Sequence, residues 1–152
     1  HKDLPILCRM IKDLGYAVKL DTNGTHPKMV KQMIDDGTID FVAMDIKGPL
    51  ETYIEIAARP IDLEAIEQTV RLLIDSGVGH EFRTTIVSEQ LEPKDFHGVG
   101  ELVRGAQRFA LQHFTSGITL SPMFHQATTF TEDQFEEAKK IMEGYVETCV
   151  IH

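Results

Sequence analysis

The sequence predicts an α/β chain whose parallel sheet curves into part of a (β/α) barrel, with helices outside and a polar interior face. Three observations predict it. Helix and strand periodicities alternate from end to end, with Gly and Pro at the joins. A helix stands between successive strands, which calls for parallel pairing through crossovers. The strands are apolar on one face and small, polar or charged on the other, whereas a doubly wound sheet, the competing architecture, has central strands that are apolar on both faces.

Asp3 is placed to cap a first helix whose Leu4, Leu7, Ile11 and Leu14 share a face, and Gly15 closes it. Tyr16 to Asp21 reads as the first strand, followed by the loop Thr22-Asn23-Gly24-Thr25. Pro27 suits a first helical turn, Val30, Met33 and Ile34 form the buried stripe, and Gly37 ends that helix. Asp40 to Lys47 is the second strand. A Gly48-Pro49 break leads to a short helical stretch. Asp62 then caps a longer helix with Ile66, Val70, Leu73 and Ile74 inward and a Glu67–Arg71 pair outside. His80 to Val87 is the third strand, and a helix from about Pro93 follows, in which Gly98 and Gly100 each cost about 1 kcal/mol of helix propensity. Arg108 to Phe114 is the fourth strand. Thr131 and Gln134 make a capping box, and Phe130 against Phe135 a hydrophobic staple, for the last helix. Tyr145 to Ile151 is the fifth strand.

The chain has 152 residues, 42% of them hydrophobic, and a net charge of −9. That apolar content suits one folded domain rather than a disordered chain. An acidic surface repels phosphate backbones and anionic lipid, and the apolar runs fall far short of the ~18 residues that span a bilayer. Neither nucleic acid nor membrane is an expected partner. Cys8 and Cys149 are the only cysteines, and no signal peptide is recognisable, so a reducing, cytoplasmic setting is expected. The chain opens on His1 rather than Met, as a fragment would. An eight-fold barrel needs about 250 residues, so only part of a ring is expected.

Alternation places Val18, Leu20, Val42, Met44, Ile46, Phe82 and Ile86 under the helices. The opposite face carries Lys19, Asp21, Ala43, Asp45, Lys47, Arg83, Thr85 and Gln112. Its five charged members, Lys19, Asp21, Asp45, Lys47 and Arg83, sum to +1 on an acidic chain, and clustered charges must be paired with each other or with a ligand. Each also has an ordinary explanation. Asp21 and Asn23-Gly24 suit a turn, Asp45 and Lys47 a solvated strand end, and Arg83 a structural ion pair. Agreement in both face and end, from strand to strand, favours a polar-ligand site at the C-terminal edge. The histidines, His1, His26, His80, His97, His113, His125 and His152, stand at no recognisable metal-ligand spacing and read mostly as surface residues; His113 lies beside the polar face.

The series Leu20-Asp21-Thr22-Asn23-Gly24, Val42-Ala43-Met44-Asp45-Ile46-Lys47, Phe82-Arg83-Thr84-Thr85-Ile86-Val87 and Leu111-Gln112-His113-Phe114 resembles the second half of radical S-adenosylmethionine proteins. The glycyl-radical activating enzymes match best, of the anaerobic ribonucleoside-triphosphate reductase and pyruvate formate-lyase types. The resemblance implies a partial (β/α)6, TIM-like barrel truncated before its first strands, with residues 1–152 as a single domain. It further implies S-adenosylmethionine and a [4Fe–4S] cluster as cofactors. The family's CxxxCxxC loop and GGE motif are absent here, so the cluster ligands are expected outside this chain. It also implies that Asp21, Thr22 and Asp45, with a backbone oxygen near Ala43, hold a monovalent cation beside the methionine carboxylate. Asn23, Gly24, Lys47, Arg83, Gln112 and His113 would complete the cofactor contacts.

On that resemblance the intact protein cleaves S-adenosylmethionine reductively, and the resulting 5′-deoxyadenosyl radical takes hydrogen from a glycine of a partner glycyl-radical enzyme. Flavodoxin or ferredoxin would supply the electron. The fragment alone is expected to be inactive, because cluster binding needs thiolates at the right spacing. Two other classes compete. One is a non-catalytic half-barrel holding a small anion or nucleotide. The other is a lyase or aldolase using Lys47 as a Schiff-base amine, against which the neighbouring Asp21 and Asp45 favour the ammonium form. The edge of the Tyr16 strand is expected to be exposed and to support a dimer.

Overall fold

The computed structural model describes residues 2–117 and 122–152; His1 lies outside the described residues. Among the described residues five parallel strands form one sheet in the order β1 (Lys19–Thr22), β2 (Phe41–Asp45), β3 (Gly79–Ile86), β4 (Arg108–His113) and β5 (Thr148–Ile151). Among the described residues six α-helices precede or connect them: α1 (Leu4–Asp13), α2 (Pro27–Asp35), α3 (Tyr53–Ala57), α4 (Leu63–Ser76), α5 (Phe96–Leu102) and α6 (Glu132–Met142). Sequential order with parallel pairing is the partial (β/α) barrel read from the sequence.

One core lies between the sheet and the helices. Val42, Met44, Phe82, Ile86, Phe109 and Leu111 supply its strand side, all fully buried, and Met33, Ile66, Leu73, Phe96 and Phe135 its helix side. The local devices act as the sequence implies. Asp62 accepts from the Ala65 N–H (3.3 Å), the Thr131–Gln134 capping box closes, and Phe130 meets Phe135 edge-on at 5.7 Å between centroids.

The structure corrects or extends four readings. On α1, Leu7 and Leu14 are 53% and 75% exposed, and the buried residue is Cys8, with Leu4 and Ile11 beside it. The outward pair on α4 is Gln68 donating to Glu64 (3.0 Å), not Glu67 with Arg71. His80, one of the histidines read mostly as surface residues, is buried in β3, its Nε2 accepting from the Gln107 N–H (3.4 Å). Gly98 and Gly100 are sites of close approach. A Cβ on Gly100 would stand 2.4 to 2.8 Å from ring atoms of Tyr145, and one on Gly98 2.7 Å from Pro49 Cβ. There the absence of a side chain lets α5 seat against its neighbours, which offsets the lost propensity.

Candidate functional site

Residues on the face away from the helices differ in kind from those on the core side. In register, Asp21 stands beside Ala43 and Glu81, while Asp45 stands beside Arg83 and Ala110. The pleat aims their side chains into one concavity. The five charged residues predicted for this face meet as a continuous network, because alternation sets them on one face of adjacent strands: Lys19 opens β1 with Asp21 two residues on, Asp45 ends β2 with Lys47 just past it, and Arg83 stands beside Asp45 in register.

Arg83 is its centre. Its Nε donates to Asp45 Oδ1 at 2.6 Å, and its Nη2 lies 3.5 Å from Asp21 Oδ2. Lys19 Nζ is 3.0 Å from Asp21 Oδ1, and Lys47 Nζ is 3.6 Å from Asp45 Oδ2. The order Lys19, Asp21, Arg83, Asp45, Lys47 therefore alternates in sign. Partial burial, the largest single effect on Asp21, opposes its ionisation. The Lys19 hydrogen bond and the Arg83 charge together outweigh it and hold the carboxyl below the usual range. For Arg83 burial likewise favours the neutral form, but the Asp45 and Asp21 carboxylates raise its affinity for the proton.

A cavity of about 420 Å³ opens beside this network, within the size range of small-ligand sites. Asp21, Asp45 and Arg83 line one wall, and Met29 and Met33 of α2 line another. Thr22 and Asn23 also border it, but their side chains are turned to the loop. Thr22 Oγ1 accepts from the Gly24 N–H (3.1 Å), and Asn23 Oδ1 accepts from the Thr25 N–H (3.2 Å) and hydroxyl (2.8 Å). Gly24 has φ +79°, and a Cβ there would meet Met44 Cε at 2.1 Å, so the turn requires glycine twice over. Its carbonyl accepts from the buried Thr69 hydroxyl at 2.6 Å. Gln112 shares the polar face and accepts from Thr85 Oγ1 (3.3 Å).

The structure does not bring His113 to this face. Its ring lies against Phe135 of α6, 4.1 Å between centroids, on the core side of β4. Strand alternation from Gln112 requires that side. Asp21 and Asp45 do converge on a common cation, but it is the Arg83 guanidinium. Asp21, Thr22 and Asp45, the three residues expected to hold a monovalent ion, all line the cavity. Sequence reasoning missed a second ion pair on the same face, Arg108 Nε with Glu81 Oε2 at 2.7 Å. Extending the alternation of β3 back from Arg83 by one step would have found Glu81. An iron–sulfur cluster does not fit the residues present. Cys8 and Cys149 are free and buried, and burial pushes the Cys149 thiol up to about 12 and raises Cys8 as well. Among the described residues no group of three or more His, Cys, Asp or Glu side chains is arranged to hold a metal, and no helix is long and apolar enough to cross a membrane.

Comparison with known proteins is consistent with the resemblance in the motifs. No family model matches the chain. A Methanocaldococcus jannaschii protein provisionally named a glycyl-radical enzyme activating enzyme is 31% identical over 156 aligned residues, covering 99% of this chain. The chain spans 65% of that relative's length. The crystal structure of a domain of pyruvate-formate lyase-activating enzyme from Bacteroides vulgatus superposes with a TM-score of 0.74 at 12% identity, covering 99% of this chain and 90% of that one. At that identity the match speaks for the fold.

Proposed function

We propose that this chain, a relative of the glycyl-radical enzyme activating enzymes, forms the part of a radical S-adenosylmethionine activase that holds the S-adenosylmethionine. One observation carries the reading: charges of alternating sign run in a row from Lys19 through Asp21, Arg83 and Asp45 to Lys47, and the three central members, Asp21, Arg83 and Asp45, line the cavity. A simple anion site would present a cluster of one sign. A methionine head group carries an ammonium and a carboxylate side by side, and an alternating row can serve both by exchanging internal ion pairs for ligand ones. This also favours S-adenosylmethionine over the small-anion module.

In this reading Asp21 and Asp45 take the ammonium, and Lys47 and Arg83 the carboxylate. The loop through Asn23 and Gly24 closes one end, and Gln112 extends the face beyond Arg83. The apolar wall from Met29 and Met33 excludes water from the sulfonium side. When bound with a reduced cluster, S-adenosylmethionine would supply the radical chemistry by which a glycine of the partner loses a hydrogen atom. The residues here orient the cofactor and balance its charge. In this reading the chain supplies the C-terminal portion of the core, and the cluster would be held by cysteines other than the buried Cys8 and Cys149. The partner is a glycyl-radical enzyme of the anaerobic ribonucleotide reductase or pyruvate formate-lyase type, and the electron donor is flavodoxin or ferredoxin.

The test uses the full-length protein reconstituted with iron and sulfide, then given dithionite and S-adenosylmethionine. The expected products are methionine and 5′-deoxyadenosine. A protein that carries its cluster and releases neither would refute the proposal.

A further inference from the structure

Tyr53 and Thr84 are almost fully buried, each with 1% exposure, and neither side chain reaches the cavity. Both hydroxyls are nevertheless directed at the same short segment. The ladder between β2 and β3 ends where the Ile46 N–H donates to the Arg83 carbonyl (2.9 Å). The next acceptor, the Ile46 carbonyl, takes the Thr84 hydroxyl instead (2.8 Å). One residue earlier, the Asp45 carbonyl accepts from the Tyr53 hydroxyl at 3.4 Å, and the Lys47 backbone lies at the same phenol oxygen. A buried carbonyl left without a donor costs about 1–3 kcal/mol. These hydroxyls therefore decide the path the backbone takes from Asp45 to Lys47.

We propose that Tyr53 and Thr84 are positioning residues, whose buried hydroxyls hold the carbonyls of Asp45 and Ile46 and thereby fix where Asp45 projects into the cavity, with Lys47 beside it. The Arg83–Asp45 pair is the readout, because the carboxylate can meet Arg83 Nε at 2.6 Å only if its own backbone is held in place. The inference rests on the reading above only in the choice of S-adenosylmethionine as the probe molecule.

The experiment compares this chain with Tyr53→Phe, Thr84→Val and Thr84→Ser, each kept well below its melting temperature. The Arg83 Nε–H resonance is followed by NMR, and S-adenosylmethionine binding by calorimetry. In Tyr53→Phe and Thr84→Val the resonance is expected to move upfield and exchange faster with water, and the dissociation constant to rise about fivefold, the worth of one net hydrogen bond. Thr84→Ser, which keeps the hydroxyl, is expected to restore both. A resonance unmoved in both deletion variants overturns the proposal even if their melting temperatures fall, since a merely structural role lowers stability without moving this pair. So does a Thr84→Ser variant that behaves like Thr84→Val. The resonance decides the positioning whether or not this chain binds S-adenosylmethionine without the cluster, and the function proposed above is decided separately by the reconstituted full-length protein.

Discussion

Replacing Arg83 with Gln removes the cation that joins two carboxylates, and the cost follows from the exposure of the three groups. The Arg83 side chain is 19% exposed, Asp45 36% and Asp21 55%. Breaking a fully buried pair costs about 3–5 kcal/mol and an exposed one about 0–1. The network lies between these limits, and each carboxylate keeps a lysine, Lys19 at 3.0 Å or Lys47 at 3.6 Å. A loss of about 2 kcal/mol follows, or roughly 6 °C in melting temperature for a domain of this size. Its pH dependence has a definite sign. Asp21 titrates below the usual range in the fold, so its contribution is complete above the unfolded value near ~3.9 and is lost as the pH falls through the folded one. Urea unfolding followed by circular dichroism should therefore show the full gap between wild type and Arg83→Gln at pH 7, and a smaller gap in acid. A gap that is the same size at both, or below about 0.5 kcal/mol at neutral pH, would refute the claim that Arg83 is the keystone of this face.

Gly100→Ala sets two effects against each other, and the structure chooses between them. Alanine gains about 1 kcal/mol of helix propensity, but its methyl would overlap the Tyr145 ring, so chemical denaturation should show a net loss; a stabilised variant would contradict the packing described. The exposed stripe of Ile6, Leu7, Met10 and Leu14 on α1, together with the open edge of β1, should make the chain self-associate. Sedimentation should show this concentration dependence weakened in Leu7→Lys/Leu14→Lys, and a wild type that stays monomeric at high concentration would end the idea. The Cys149 thiol, raised to about 12 by burial, should resist an aromatic disulfide reagent in the native state and react promptly in urea. Rapid native labelling of Cys149 would show that β5 opens far more readily than its packing implies.

The strand faces were legible because a period of two leaves little choice once a strand's core side is known. Val42, Met44 and Phe82 fix where Asp45 and Arg83 must point. His113 was misplaced by neglecting that rule. Strand starts were read too early, at Tyr16 and Tyr145, because residues that look extended need a partner to become a ladder, and β1 pairs only from Lys19. The Val18 N–H is instead taken by the Asp40 carboxylate at 2.6 Å. The inward face of α1 could not be read from its own periodicity. Leu7, Cys8 and Ile11 are close enough around the helix that only the position of the sheet decides which is covered. The hydroxyls of Thr69, Thr84 and Tyr53 were invisible for a related reason. Their acceptors lie 45, 38 and 8 residues away, and a Thr in a helix or strand shows its propensity locally but its hydrogen bond only in the fold.

Ala43 and Ala110 are fully buried on the otherwise charged face, Ala43 in register between Asp21 and Glu81 and Ala110 beside Arg83. Two methyl groups thus form an insulating strip between the Arg83 network and the Glu81–Arg108 fastening. Descendants of such a scaffold could rewrite the charges on one side of that strip to suit a different guest, while the clasp on the other side kept the strands together unchanged.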